Sequence, residues 1–222
     1  PHSQAEPAHR HDYIIEIIGY KHNDMYSFIA MEMADTDLYR IISNQPMTEE
    51  ETRPLFKQML DAVSFIHSKL VVHRDIKLEN WTLFKNKTIP KLIDFGLAHV
   101  FKTPDEKILH AFAGARSYCC PQIAKRHPYN GYKCDAWSLV VCLFTMVSGF
   151  FPYKIACNDD WRFEDIYGKT RNAPKSIYSL YNRVWPYSDE LANLIHMTIG
   201  VQGNIMNNID DIKKDIWCTN HT

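Results

Sequence analysis

Apolar positions change their period twice in the first third of the chain. "YIIEIIGY" (13–20) and "YSFIAMEM" (26–33) are short, rich in β-branched and aromatic residues, and separated by a stretch containing "KHND". They predict a pair of strands joined as a hairpin. From "DLYRII" (37–42) onward the spacing turns helical. Thr48 with Glu51 three residues later forms a capping box, and Glu49, Glu50 and Glu51 suit a helix N-terminus. Leu55, Met59, Val63 and Ile66 then recur at helical spacing and predict one buried stripe. Pro54, inside the second turn, is expected to remove a hydrogen bond and kink the helix.

Short apolar runs broken by polar loops follow, through "LVVHRDIKLENWTLFKNKTIPKLIDFGLAHVF" (70–101). Residues 99–121 keep no period and carry scattered Gly, Pro and Ser, which predicts a long loop. Loops of that length are usually functional. Helical spacing returns after Pro128. The most apolar stretch, "WSLVVCLFTMVSGFFPY" from Trp137, is interrupted by Ser138, Thr145 and Ser148. It falls short of the ~20 apolar residues of a membrane span and reads as a buried core helix. A loop-rich interval is expected over 152–176, then helices over Asp189–Gly200 and Asp210–Trp217. No internal repeat or low-complexity tract is present.

The 222 residues suffice for one large domain or two small ones. With 45% hydrophobic and 23% charged residues, the composition is that of an ordinary globular protein. A formal net charge of −1 points to neither direct nucleic-acid binding nor a membrane surface. The opening "PHSQAEPAHR" lacks the apolar run of a signal peptide. None of the six cysteines forms a C-x-x-C pair, which argues against a structural zinc site and for a reducing compartment. Cys142 reads as a buried thiol. Vicinal Cys119 and Cys120 read as loop thiols in preference to a redox pair. His2, His9, His11 and His22 read as solvated loop histidines in preference to metal ligands.

The chemistry concentrates in "VVHRDIKLEN" (71–80) and "LIDFGL" (92–97). Phosphoryl transfer needs an acceptor for the nucleophile's proton, a cation on the phosphate and oxygen ligands for Mg²⁺. Asp75 suits the first role and Lys77 the second. Asn80 offers a neutral oxygen to a metal and Asp94 a charged one, as hard Mg²⁺ prefers. H-R-D or D-F-G alone is a weak signal. H-R-D-x-K-x-x-N followed by D-F-G fourteen residues after Asn80 is a strong one.

This ordered set resembles the catalytic loop and metal-binding motif of eukaryotic protein kinases. The likeness covers nearly the whole chain. "DAWSLV", with Asp135, Trp137 and Ser138, resembles the helix start of the family's C-lobe, where the Asp supports the catalytic-loop backbone; Val140 stands at a usual Gly. "HDYIIEIIGY" resembles the fourth strand of the N-lobe, and "FIAMEMADTDL" the fifth strand and hinge. The resemblance implies an α+β, protein kinase-like fold: a mainly α-helical C-lobe with a remnant of the β-rich N-lobe. Residues 1–33 would be the N-lobe remnant and hinge start. Residues 34–222 would be the C-lobe, with the catalytic loop at 71–80, D-F-G at 94–96 and the activation segment at 94–122. It implies ATP and Mg²⁺ as cofactors and a protein substrate. Met31 becomes the gatekeeper-like residue, Glu32 to Ala34 the adenine edge and Asp37 a ribose contact. Asp75, Lys77, Asn80 and Asp94 become the catalytic set, with Asn80 and Asp94 on the metal. "DIKKDIW", "DDW" and "GYKHNDMYSF" are similar to checkpoint-type Ser/Thr kinases of DNA-damage signalling, which implies a nuclear or cytoplasmic location.

The pattern also departs from the family. The 222 residues hold no G-x-G-x-x-G, no V-A-I-K-like strand and no helical Glu to pair with such a Lys. In "GARSYCCPQ" (114–122), Ala115 replaces a Thr that touches the catalytic Asp and Lys. Gln122 replaces a Glu that pairs with an Arg, whose position matches Met206. "QGNIMNN" (202–208) has lost the family's usual Pro and Arg. Losing both partners of a buried pair together can be neutral, whereas losing one is costly. The double change argues for a folded, diverged C-lobe, and the missing Gly-rich loop, Lys and Glu make a pseudokinase-like scaffold that docks partners the alternative reading. A small-molecule phosphotransferase also uses an H-x-D loop, but the D-x-W-S helix start and the long segment after D-F-G speak against it. Thr103 and Ser117 read as ordinary loop hydroxyls, with phosphate acceptance and pairing to Arg74 as the alternative. An exposed apolar face is expected on the edge of "YIIEIIGY", to be covered by further N-lobe strands or a partner chain.

Overall fold

The computed structural model describes residues 10–167, 172–200 and 208–219. The β-rich start forms β1 (Ile17–His22) and β2 (Ser27–Met31), paired antiparallel. In their turn, Asn23 Oδ1 accepts the N–H groups of Met25 and Tyr26. Tyr13 to Ile15 do not join this hairpin as expected. Leu92 N–H donates to Tyr13 O and Ile15 N–H donates to Leu92 O, and a register shift between Ile17 and Gly19 disturbs the ladder to β2. The expected exposed face is present. Ile18 is 70% exposed and Tyr20 77%, and no third strand pairs with β1 or β2 among the described residues.

β3 (Thr36–Asp37) leads into α1 (Leu38–Asn44), capped by Asp37, whose Oδ1 accepts Arg40 N–H at 2.9 Å. α2 (Glu49–Ser68) begins at the expected capping box. Glu51 N–H donates to Thr48 Oγ1 at 3.2 Å and Thr48 N–H to Glu51 Oε2 at 2.8 Å. Leu55, Met59, Val63 and Ile66 are all buried. The helix continues as one element through Pro54. Pro54 and Glu50 are exposed, so the carbonyl deprived of its donor can take water. Glu49 does more than face the helix dipole. Its carboxylate accepts Ser188 Oγ at 2.6 Å and Trp217 Nε1 at 2.6 Å, tying α2 to the end of the chain. Burial raises this acid; the Ser188 and Trp217 donors more than offset that, and its pKa lies below the usual range.

β4 (Val71–Val72), β5 (Trp81–Phe84), β6 (Ile89–Leu92) and β7 (His99–Val100) bracket the two chemistry-bearing motifs. β3, β5 and β6 form one sheet and β4 with β7 another. Residues 99–121 are not wholly loop. β8 (Ile108–Leu109) pairs antiparallel with β9 (Tyr129–Asn130), a long-range match with no periodic signal. Between them lies α3 (Pro121–Ala124). α4 (Gly131–Ser148) is the expected core helix, with Trp137, Leu139 to Phe144 and Met146 fully buried.

The interval 152–176 contains α5 (Trp161–Ile166) and the start of α6 (Ala173–Leu180). Asp160 starts α5, since its carboxylate accepts Arg162 N–H and the N–H groups of Lys154 and Ile155. α7 (Asp189–Ile195) runs on as one wider turn over His196–Gly200. The single helix expected over Asp210–Trp217 is two, α8 (Ile209–Lys213) and α9 (Ile216–Thr219). Asp215 breaks it, because its Oδ1 accepts Trp217 N–H at 2.8 Å and starts a new turn. His2, His9, Met206 and residues 202–207 lie outside the described residues. Of the other histidines, His11 packs on Phe65 and His22 bonds Ser27 Oγ. No helix among the described residues is long and apolar enough to cross a membrane.

The cysteines correct one expectation. Cys120 and Cys134 are joined by a disulfide, with Cα atoms 5.3 Å apart. Cys119 remains free and buried, and burial pushes its thiol up to about 11, so the vicinal pair is no redox couple. Cys142 is the expected buried thiol. The bridge spans a separation of 14 residues. A closed loop of that size contributes about 2–3 kcal/mol by restricting the unfolded chain. Reduction by a dithiol, or Cys134→Ala, is therefore expected to lower Tm by roughly 5–10 °C. Calorimetry of the oxidised chain, the reduced chain and the variant checks this. Identical melting of all three would show that the bond adds nothing.

Candidate active site

β4 delivers the chain into His73-Arg74-Asp75, and the loop is held from beneath by α4. Asp135, in the second turn of α4 and buried, accepts His73 N–H at 2.8 Å and Arg74 N–H at 2.9 Å. Its Oδ2 also meets His67 Nε2 at 3.0 Å. Three groups from residues 67–74 thus converge on one carboxylate more than 60 positions further along the chain. The hold matters because Arg74 has φ +66°, a left-handed conformation that costs an Arg energy.

His73 is fully buried. Burial lowers its pKa, against the opposing charges of Asp135, Asp75 and Asp94, and the ring is neutral at pH 7. Nε2–H then donates to Ile93 O at 3.0 Å, and Nδ1 accepts Asp75 N–H at 3.3 Å. Phe95 packs edge-on against the same ring at 4.9 Å. Arg74 Nε–H donates to Leu97 O at 2.6 Å. H-R-D and D-F-G, separate in sequence, are therefore docked on each other through His73 and Arg74.

The structure brings Asp75, Lys77 and Asn80 together. Lys77 Nζ lies 2.6 Å from Asp75 Oδ2. Asn80 Nδ2 donates to Asp75 O at 2.9 Å and Oδ2 at 3.3 Å. Oδ1 of Asp75 accepts Ala115 N–H at 3.1 Å. Here the main chain supplies a donor where the family's Thr would supply a hydroxyl, so Ala115 does not leave Asp75 without support. The neighbouring Gly114 is obligatory. Its φ is +92°, and a Cβ there would lie 2.4 Å from Arg74 O.

Asp94 is exposed at the start of a short turn over Phe95–Leu97, with φ +61°, and its Oδ1 accepts Gly96 N–H at 3.2 Å. No hydrogen bond among the described residues joins it to the Asp75 cluster. The oxygen set fits Mg²⁺. With the Asn80 amide nitrogen spent on Asp75, its Oδ1 carries no hydrogen bond among the described residues, nor does Asp94 Oδ2. Asn80 and Asp94 are thus the residues that could hold the metal.

Glu32, Ala34 and Asp37 stand apart from that cluster. The Glu32 carboxylate is bonded by Lys91 Nζ at 2.6 and 2.7 Å and by Glu16 N–H at 2.9 Å. What this stretch offers a purine edge is therefore main chain. The backbone groups of Met33 and Ala34 carry no hydrogen bond among the described residues, which fits that use. Met31 is exposed at the end of β2. Asp37 is engaged in capping α1 and in an ion pair with Arg40 at 3.2 Å. Ser117 Oγ donates to Lys154 O at 3.3 Å, and Arg74 is occupied by Leu97, so neither is poised for a phosphate. Gln122 is exposed, so no buried charge there requires a partner.

Sequence reasoning missed two supporting side chains. His67 follows Val63 by four residues on the buried stripe, and a polar residue in an apolar stripe was its available signal. Tyr118 accepts Leu78 N–H at 3.3 Å, donates to Glu79 at 3.2 Å and is linked through its carbonyl to Ser138 Oγ at 2.9 Å. Its signal was an aromatic hydroxyl in a long polar segment.

Comparison with known proteins agrees with this geometry. Residues 4–217 match the family described as protein kinase domain. A probable serine/threonine-protein kinase KIN1 homolog of Enterocytozoon bieneusi is 32% identical over 209 residues, covering 93% of this chain and 33% of that protein. The human NUAK family SNF1-like kinase 2 is 41% identical over 145 residues, 64% of this chain and 23% of its own length. CBL-interacting serine/threonine-protein kinase 13 of Arabidopsis thaliana is 30% identical over 218 residues, 94% of this chain and 39% of its own. The chain thus spans well under half the length of each. By its motifs, its fold and these matches, the chain belongs to the protein kinase domain family.

Proposed function

We propose that the protein transfers the γ-phosphoryl group of ATP to a Ser or Thr hydroxyl of a protein substrate. The observation that carries this reading is the held carboxylate of Asp75, with Lys77 at 2.6 Å and its loop backbone pinned by Asp135. Asp75 takes the proton of the acceptor hydroxyl as that oxygen bonds to phosphorus and ADP departs. Lys77 neutralises charge on the transferred group. Asn80 and Asp94 present their oxygens to the metal. Mg²⁺, when bound, offsets charge on the phosphates and aligns them. Met33 and Ala34 supply the purine edge from their main chain, and Asp37 the ribose contact.

The checkpoint-type likeness is the finer reading. It rests on three short stretches, while the relatives named above are KIN1-homologue, NUAK and CBL-interacting kinases. We therefore place the weight on the Ser/Thr kinase class. Because the reaction consumes ATP, the reading keeps an intracellular site of action, in nucleus or cytoplasm. Cellular thiols would there act on Cys120–Cys134. Assays accordingly belong with both oxidised and reduced protein.

The test is Mg²⁺-dependent nucleotide binding. Ligand at about 100 times Kd stabilises a fold by about 2.7 kcal/mol, or roughly 5–10 °C in Tm for this size. Such a rise is expected with Mg²⁺-ATP and not with ATP in chelator. Asp94→Asn should abolish most of it while leaving the apo Tm within about 2 °C, because Asp94 is exposed. No metal-dependent shift would move the weight to the scaffold reading, for which no nucleotide effect is needed.

A further inference from the structure

A cavity of about 710 Å³ lies between the end of α1, Ser117 of the segment after D-F-G, and the turn that follows α4. Phe150 and Tyr181 give it aromatic walls. Among the described residues, its charged lining is Lys154, Arg162 and Arg183, with no carboxylate. Arg162 is committed, since Nη2 and Nε bond Asp160 at 3.0 and 3.1 Å. Lys154 and Arg183 are exposed and form no ion pair among the described residues. The Arg183 guanidinium sits 5.9 Å from the Phe150 ring centroid, so cation and apolar wall are presented together. The ring quadrupole helps to hold the guanidinium over the apolar wall.

One short segment of chain, residues 115–117, runs from the Asp75 cluster to the cavity lining. Ala115 N–H bonds Asp75 and Ser117 Oγ bonds Lys154 O. At the Asp75 end, Tyr118 meets Glu79, an exposed carboxylate. The two ends therefore carry opposite signs. The chain's net charge is only −1, so this polarity is local.

We propose that this cavity binds a carboxylate-bearing segment of the protein substrate, with Asp or Glu between Lys154 and Arg183 and an apolar neighbour on Phe150 and Tyr181. Glu79 repels such an acid near the acceptor hydroxyl and so fixes which end of the segment enters the cavity. The inference rests on the kinase reading for calling the occupant a substrate; the charge preference itself stands on the cavity.

The experiment is fluorescence anisotropy on the 222-residue chain. It uses a labelled Ser-bearing peptide with two Glu residues flanked by Leu, and the same peptide with Gln for Glu. The acidic peptide should bind about five- to tenfold tighter at low salt, an advantage that shrinks in high salt. Lys154→Glu combined with Arg183→Glu should remove or reverse the preference. Equal affinity for both peptides, or a preference unchanged in the double variant, overturns the proposal. The Mg²⁺-ATP melting shift is read on the same protein. Charge preference without that shift leaves the groove standing and removes the kinase reading. The shift without charge preference does the reverse.

Discussion

Asp135→Ala is expected to cost about 3–5 kcal/mol of stability, a fall in Tm of roughly 10 °C or more. The reason is geometric. The carboxylate accepts His73 N–H, Arg74 N–H and His67 Nε2 at 2.8–3.0 Å, and it is 1% exposed. Removing it strands donors that water reaches poorly, each worth about 1–3 kcal/mol when left unpaired. It also releases Arg74 from φ +66°. The loop that orients Asp75 would relax, so nucleotide and substrate effects should weaken along with the fold. Asp135→Asn should be nearly as harmful, because its amide N–H groups would point at donors. His67→Ala removes one of the three partners and should cost less, and the two changes together should be less than additive. Urea and thermal melts of the four variants against wild type measure all of this. Wild-type melting of Asp135→Ala would show that the loop holds itself.

What could be read in advance divides along a physical line. Interactions between residues close in sequence were legible. The Thr48–Glu51 capping box, the Leu55–Ile66 stripe and the buried helix in the apolar stretch from Trp137 each follow from local spacing. The H-R-D-x-K-x-x-N and D-F-G motifs were legible in the same way, as an ordered set. Features made by long-range pairing were not. β8 and β9 are two residues each and exist only because Ile108 meets Asn130 and Leu109 meets Tyr129. Tyr13 pairs beside Leu92 and not in the hairpin, since competition between two partner strands has no local signature.

The same holds for side chains with two uses. Glu49 was legible as a residue suited to a helix N-terminus. Its bonds to Ser188 and Trp217 join residues 139 and 168 positions away, and nothing in the first turn announces them. Cys120 and Cys134 lack a motif spacing; α3 and α4 bring them within bonding reach. Asp215 ended a helix through a bond to the N–H two residues on, a turn that competes with helix wherever an Asp is available. At the candidate site, the resemblance named Asp75, but only the geometry shows Ala115 N–H standing in for a hydroxyl.

That substitution bears on the largest expected effect. Asp75→Asn should lower phosphoryl transfer by about 10²- to 10⁴-fold, the range of a positioned general base. Nucleotide affinity should stay within about threefold, since Asp75 is not among the proposed nucleotide or metal ligands. The amide is close to isosteric and its oxygen can still accept Ala115 N–H. It cannot take a proton, and its NH₂ would face Lys77 Nζ, now 2.6 Å from Oδ2. Lys77 is thereby released, so Lys77→Met in the same background should add little, as expected for groups that act as a unit. The measurement is single-turnover transfer from labelled ATP to a protein acceptor. It uses the protein purified from its own cells, because the chain covers 23–39% of the three relatives. Unchanged transfer by Asp75→Asn would remove Asp75 from the proton's path. A deep loss of transfer with intact Mg²⁺-ATP binding would separate the chemical step from the fold that supports it.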